Sequence, residues 1–218
     1  MAERFGRTDM KPFFVTLEGI EGAGKTSIAS RIDGWLTEQE IPHLVAREPG
    51  GTPAGEAIRE ILLNPAYPLC PQTELLLMQA ARAQIMQETV LPALERHQVV
   101  ILDRHTDSSI AYQGYGRGLA LDEIISQNQF STQGRIPDLT LILDIGAELG
   151  LKRAQQAKEK AIVNDRFESE ALSFMQRVRK GFLKQAQSHP ERYVIVSAEE
   201  SLDEVWRQVR EVLQQHLG

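Results

Sequence analysis

Eight residues, Gly19 to Thr26 (GIEGAGKT), close an apolar run (FFVTLEG, 13–19) and precede a segment of helical spacing. They fit G-x-x-x-x-G-K-[ST]. The glycines let successive backbone N–H groups turn inward on phosphate oxygens, and the following helix adds its positive end. In this pattern Lys25 reaches the β and γ phosphates and the Thr26 hydroxyl ligates Mg²⁺. The run from Gly19 through Ile20, Glu21, Gly22, Ala23, Gly24, Lys25 and Thr26 to Ser27 is therefore read as a nucleoside triphosphate cradle. It also fixes a local fold, because the cradle exists only between a strand and a helix.

Four further β-rich runs follow: HLVAR (43–47), QVVILD (98–103), LTLILD (139–144) and YVIVS (193–197). Several are near-continuously apolar, as expected of strands covered on both faces. Segments of helical spacing lie between them, with Ile28, Ile32, Trp35 and Leu36 on one face and Leu202, Val205, Val209 and Val212 on another. Strand–helix alternation predicts an α/β fold, a doubly wound five-stranded parallel sheet. In such sheets ligands collect at the carboxyl ends of the strands. Residues 1–11 read as a loosely held polar tail and 12–218 as one domain. The charge-dense stretch 155–170 reads as either an exposed loop or a lid over an anionic ligand.

Composition narrows the partners. The 218 residues carry 24 Lys+Arg against 30 Asp+Glu, a net charge of −6, which disfavours a nucleic acid polymer but not a nucleotide. One cysteine, Cys70 between Pro68 and Pro71, cannot form an internal disulfide and suits a reducing compartment. The apolar runs fall far short of the ~20 residues of a spanning helix. No secretory pattern opens the chain, so a soluble cytoplasmic protein without membrane contact is expected.

Asp103, ending the third run, is the expected acid on the Mg²⁺ side of the cradle; Asp144, ending the fourth, is its rival. None of Asn64, Asn128 or Asn164 is followed by lysine, which counts against a guanine-reading switch. Arg47 and Arg104 stand at strand ends and Arg82 in a helical segment, a supply of forked cations suited to a second phosphate. That favours phosphoryl transfer to another small molecule. A kinase for some other nucleotide or nucleoside, or a partner-coupled ATPase, stays open at this point.

Five segments resemble bacterial thymidylate kinases: GIEGAGKT (19–26), REPGGT (47–52), AARAQ (80–84), DRHTDSSIAYQGYGRG (103–118) and IPDLTLILD (136–144). The resemblance implies transfer from ATP to dTMP on a homodimeric P-loop fold. It further implies that Glu21 positions the acceptor and the lysine. Arg47 would reach the transferring group, and Glu48, Pro49, Gly50 and Gly51 would line the acceptor pocket. Arg82 would meet the thymine edge and Arg104 the acceptor phosphate. Ser109, Tyr112 and Gln113 would stand near deoxyribose and base, with Tyr112 filling the space of a 2′-hydroxyl. Arg153 resembles the arginine that stacks on adenine.

Two departures from that pattern stand out. The cradle carries Ala23 and no arginine, so the lid should supply a cation from Lys158, Lys160 or Arg166, of which Arg166 is expected to matter most. Met78 stands four residues before Arg82, where many relatives have phenylalanine; it suits either the base pocket or the core. His105 is expected to form pocket wall.

Overall fold

The computed structural model describes residues 11–161 and 172–217. The expectations attached to residues 1–10, to the side chains of Lys158 and Lys160 and to Arg166 lie outside those residues. All five strands form where the apolar runs put them: β1 (Phe13–Glu18), β2 (His43–Arg47), β3 (Val99–Asp103), β4 (Leu139–Asp144) and β5 (Tyr193–Ser197). They pair in parallel in the order β2-β3-β1-β4-β5. β3 is buried along its whole length, whereas β2 and β5, the edge strands, are partly open.

Side chains alternate across the sheet. Phe14, Val100 and Leu102 pack on one face against Ile85, Met86, Val90, Ala93 and Leu94. Val15, Leu17, Val99 and Ile101 face the other way, into a larger core with α1 (Lys25–Glu38). The structure thus carries helices on both faces, as the strand–helix alternation predicted. In α1, Ile28, Ile32 and Leu36 are fully buried and Trp35 is partly so. In the last helix, Leu202–Leu217, the inward face is Val205, Val209 and Leu213; Leu202 is exposed and Val212 only half-buried.

The remaining helices are α2 (Pro53–Leu63), α3 (Pro71–Ile85), α4 (Leu91–Glu95), α5 (Thr106–Ser109), α6 (Leu121–Thr132), α7 (Ala147–Ala161) and α8 (Leu172–Ser188), which makes the last one α9. Two π-helical turns, Met86–Val90 and Ile110–Gly116, continue α3 and α5. The second carries Tyr112 and Gln113. The stretch expected as loop or lid is, as far as Ala161, the end of α7. Gln155, Gln156 and Ala157 are exposed there, and the rest of the stretch beyond Ala161 lies outside the described residues.

Candidate active site

The carboxyl ends of β1, β2 and β3 open on one cleft of about 580 Å³. At its floor the Gly19–Thr26 loop joins β1 to α1. Gly22 has φ +76, and a Cβ there would lie 2.0 Å from the Gly150 carbonyl oxygen of α7, so only glycine fits. Gly24, also left-handed, precedes α1 without any side-chain cap. The first-turn N–H groups are thereby left for an anion.

Lys25 Nζ donates to the carbonyls of Gly19 (3.0 Å) and Ile20 (2.9 Å). Burial, helped by the nearby Arg104 charge, lowers its pKa to about 8 despite the opposing pull of Asp103, Glu21 and Glu18. Thr26 Oγ1 donates to Asp103 Oδ2 at 2.9 Å. Two hard oxygen donors so close, beside a phosphate cradle, suit Mg²⁺, which keeps most of its shell as water and phosphate oxygen. Asp144 instead takes a bidentate pair from Arg179 (2.7 and 2.8 Å) and does not line the cleft.

Arg104 holds the end of β3 with φ +71. Its guanidinium donates to Glu21 (2.8 Å), Tyr112 Oη (3.1 Å), Ser108 Oγ (3.2 Å) and the Gly19 carbonyl (3.1 Å). Tyr112 Oη donates in turn to Glu21, and burial pushes the phenol well above its usual pKa, so it remains a donor. Glu21, Arg104 and Tyr112 therefore lock one another into a rigid wall.

Arg82, 2% exposed, reaches from α3 to Glu48 (2.8 Å), Ser109 (3.0 Å), Asn128 (2.8 Å) and the His105 carbonyl (2.9 Å). Burial would raise the Glu48 pKa, but Arg82 and His105 outweigh it and hold the carboxylate below its ordinary range. His105 does not form pocket wall as expected. It is fully buried, packs edge-on to Phe14 and holds Glu48 Oε1 through Nδ1 at 2.8 Å.

Of the residues singled out in the sequence, Glu21, Gly22, Gly24, Lys25, Thr26, Ser27, Arg47, Glu48, Pro49, Arg82, Asp103, Arg104, Ser109, Tyr112, Gln113 and Arg153 line this cleft. Met78 joins them, half-buried. Gly19, Ile20, Ala23, Gly50 and Gly51 do not: Ile20 and Ala23 are buried in the core beneath the loop, and the Gly50–Gly51 backbone turns toward α2, where Gly51 N donates to Glu56 (2.8 Å). Arg47, half-exposed, is held by Glu56 (2.8 and 2.9 Å). Arg153 donates to the carbonyls of Ala198 (2.6 Å) and Glu199 (2.9 Å) at the far end. Arg59 was missed; it reaches the cleft from α2 and donates to the Pro49 carbonyl at 2.9 Å. Its signal was an arginine in the inward register between Gly55 and Leu62. Ser108 was missed as well.

A family model described as thymidylate kinase matches residues 17–209. A Neisseria gonorrhoeae protein named thymidylate kinase is 46% identical over 209 residues, covering 96% of this chain and 100% of that one. One of the same name from Carboxydothermus hydrogenoformans is 45% identical over 94% of this chain and 98% of its own length. The crystal structure of thymidylate kinase from Ehrlichia chaffeensis superposes with a TM-score of 0.75 at 31% identity, covering 93% of this chain and 98% of that one.

Proposed function

Since the chain belongs to the thymidylate kinase family, we propose that it transfers the γ-phosphoryl group of ATP to dTMP, giving dTDP and ADP for dTTP synthesis. One observation carries this reading. A triphosphate cradle and a second, arginine-lined compartment (Arg47, Arg59, Arg82, Arg104) open into the same cleft.

The acceptor phosphate oxygen is already ionised at neutral pH, so no general base is required. That oxygen bonds to the γ-phosphorus as the bond to the β-phosphate oxygen breaks, and ADP leaves with the electron pair. The protein's work is alignment and charge neutralisation. Lys25 and the α1 amides hold the donor phosphates; Arg104 and Arg47 hold the acceptor phosphate and the group in flight. Thr26 and Asp103 would hold Mg²⁺, which spreads the developing negative charge when bound. Tyr112, fixed by Glu21, blocks the position of a 2′-hydroxyl. Arg82 donates to the base edge, Met78 packs against the ring, and Arg153 stands beside adenine. A lid at about 155–170 with Arg166 as its cation belongs to the same reading, and beyond Ala161 it lies outside the described residues.

The working unit is a homodimer in the cytoplasm. Leu76 on α3 and Phe130 on α6 are 59% and 87% exposed, and their helices are joined by Gln79 bonds to Asn128 and Ser131. Among the described residues no helix is long and apolar enough to cross a membrane.

ADP release measured against a panel of monophosphates tests the assignment. Strong stimulation by dTMP, weaker by dUMP, is expected, since one methyl is worth only ~1–3 kcal/mol. Equal stimulation by CMP, or release indifferent to any monophosphate, would overturn it.

A further inference from the structure

Gln113 lines the cleft beside Arg82 and Ser109 and is 1% exposed. Its side-chain Nε2 donates to Glu74 Oε1 at 2.8 Å. Glu74 lies in the first turn of α3, fully buried, and its other oxygen is bridged by Arg117 at 3.3 Å. The Arg117 guanidinium in turn sits over the Phe174 ring, 4.4 Å from its centroid. The carboxylate is thus clamped in place from behind.

Primary amides have two unlike ends, and their orientation follows from the network around them. A carboxylate only accepts, so Gln113 must turn its NH₂ toward Glu74. Its Oε1 is then the atom presented to a ligand. With Arg82 as donor and Gln113 Oε1 as acceptor, the cleft matches a base edge that reads acceptor then N–H donor. Thymine and uracil offer that edge. Cytosine offers the reverse, an amino donor and a bare ring nitrogen.

We propose that Glu74, which touches no substrate, is a positioning residue that sets pyrimidine choice by fixing the Gln113 amide with its oxygen toward the base. The proposal rests on dTMP being the acceptor. Replacing Glu74 by glutamine removes the acceptor-only constraint while keeping size and shape. Both amides can then turn together, and Gln113 can offer either end.

The test compares kcat/KM for dTMP and 5-methyl-dCMP, which share the methyl and differ in the hydrogen-bonding edge. Wild type should discriminate strongly, because a site built for one edge leaves buried groups unpaired against the other. In Glu74→Gln the preference for dTMP should narrow by about tenfold or more, the size of one neutral hydrogen bond misdirected, chiefly through KM. Glu74→Asp, still acceptor-only, should keep the preference. A fall of kcat/KM by the same factor for both substrates, or an unchanged ratio, overturns the proposal. If Glu74→Gln yields no folded protein, Glu74→Asp decides alone: a retained preference supports the role, and a lost preference with dTMP turnover intact refutes it. Wild type inactive on dTMP would instead sink the substrate reading itself.

Discussion

At the scale of the residue, the cleft works by cations that are held rather than free. Arg104 is bonded on several sides, so its charge stays fixed beside the cradle without reorganisation, where the proposed function needs it for the acceptor phosphate. Arg104→Ala should lower kcat by on the order of 10²- to 10³-fold in steady-state assays, by analogy with loss of one oxyanion donor, while the fold persists. Lys25 is different, because burial has already brought its pKa down to about 8. A phosphate beside it must restore the charged form. Triphosphate binding at about pH 9 should therefore take up close to one proton, and affinity should weaken by up to tenfold per pH unit above 8. Calorimetry in buffers of different ionisation enthalpy measures this directly; equal heats in all buffers would refute the coupling.

Strands and cradle were legible because their signals are local. An apolar run covered on both faces, and a glycine loop of fixed spacing, need no partner to be recognised. Arg59 and Glu74 were not legible. Each is a charged residue on a helix; the register of Arg59 with Gly55 and Leu62 hints at an inward side, but only the packing of α2 on α3 and of α3 on α6 decides which charges turn inward. The same holds for Glu18, the last residue of β1, which is fully buried. It accepts the His105 N–H (2.7 Å) and the Ser108 hydroxyl (2.6 Å) and so ties the end of β1 to the turn that carries Arg104. Burial, reinforced by the Asp107 charge, raises its pKa to about 8 against the opposing Ser108, Arg104 and His105 contacts. Between pH 4.5, the ordinary value, and pH 8 the folded chain binds a proton here that the unfolded chain has lost. Stability contributed by this group is full below 4.5 and falls as pH rises to 8, by up to about 1.4 kcal/mol per unit. Glu18→Gln mimics the protonated form and should remove that slope. Urea titrations from pH 5 to 8 should find the variant gaining on wild type as pH rises; a constant difference would contradict this.

At the scale of the whole molecule, a face of α3 and α6 is left over once the sheet and cleft are built. Both helices are anchored inward by Gln79, Arg82 and Asn128, which leaves Leu76 and Phe130 turned out, with Ile136 just beyond α6 at 61% exposed. Scattered apolar residues on a surface need no partner, but large ones on two adjoining helices call for cover. The sequence reading placed a helical segment at Arg82 but showed neither α6 nor this face, since outward and inward registers look alike until packing fixes one of them. A second copy of the chain would cover the face, on a side of α3 turned about 120° from Arg82. The dimer would then brace the helix that carries Arg82, Glu74 and Met78. Phe130→Glu together with Leu76→Glu should convert the protein from twice its 24.5 kDa mass to a monomer in sedimentation. KM for dTMP should rise more than KM for ATP, because on the proposed function α3 serves the acceptor compartment while the cradle hangs from β1 and α1. A monomeric wild type, or a monomeric variant with both KM values unchanged, would break the link between assembly and acceptor binding.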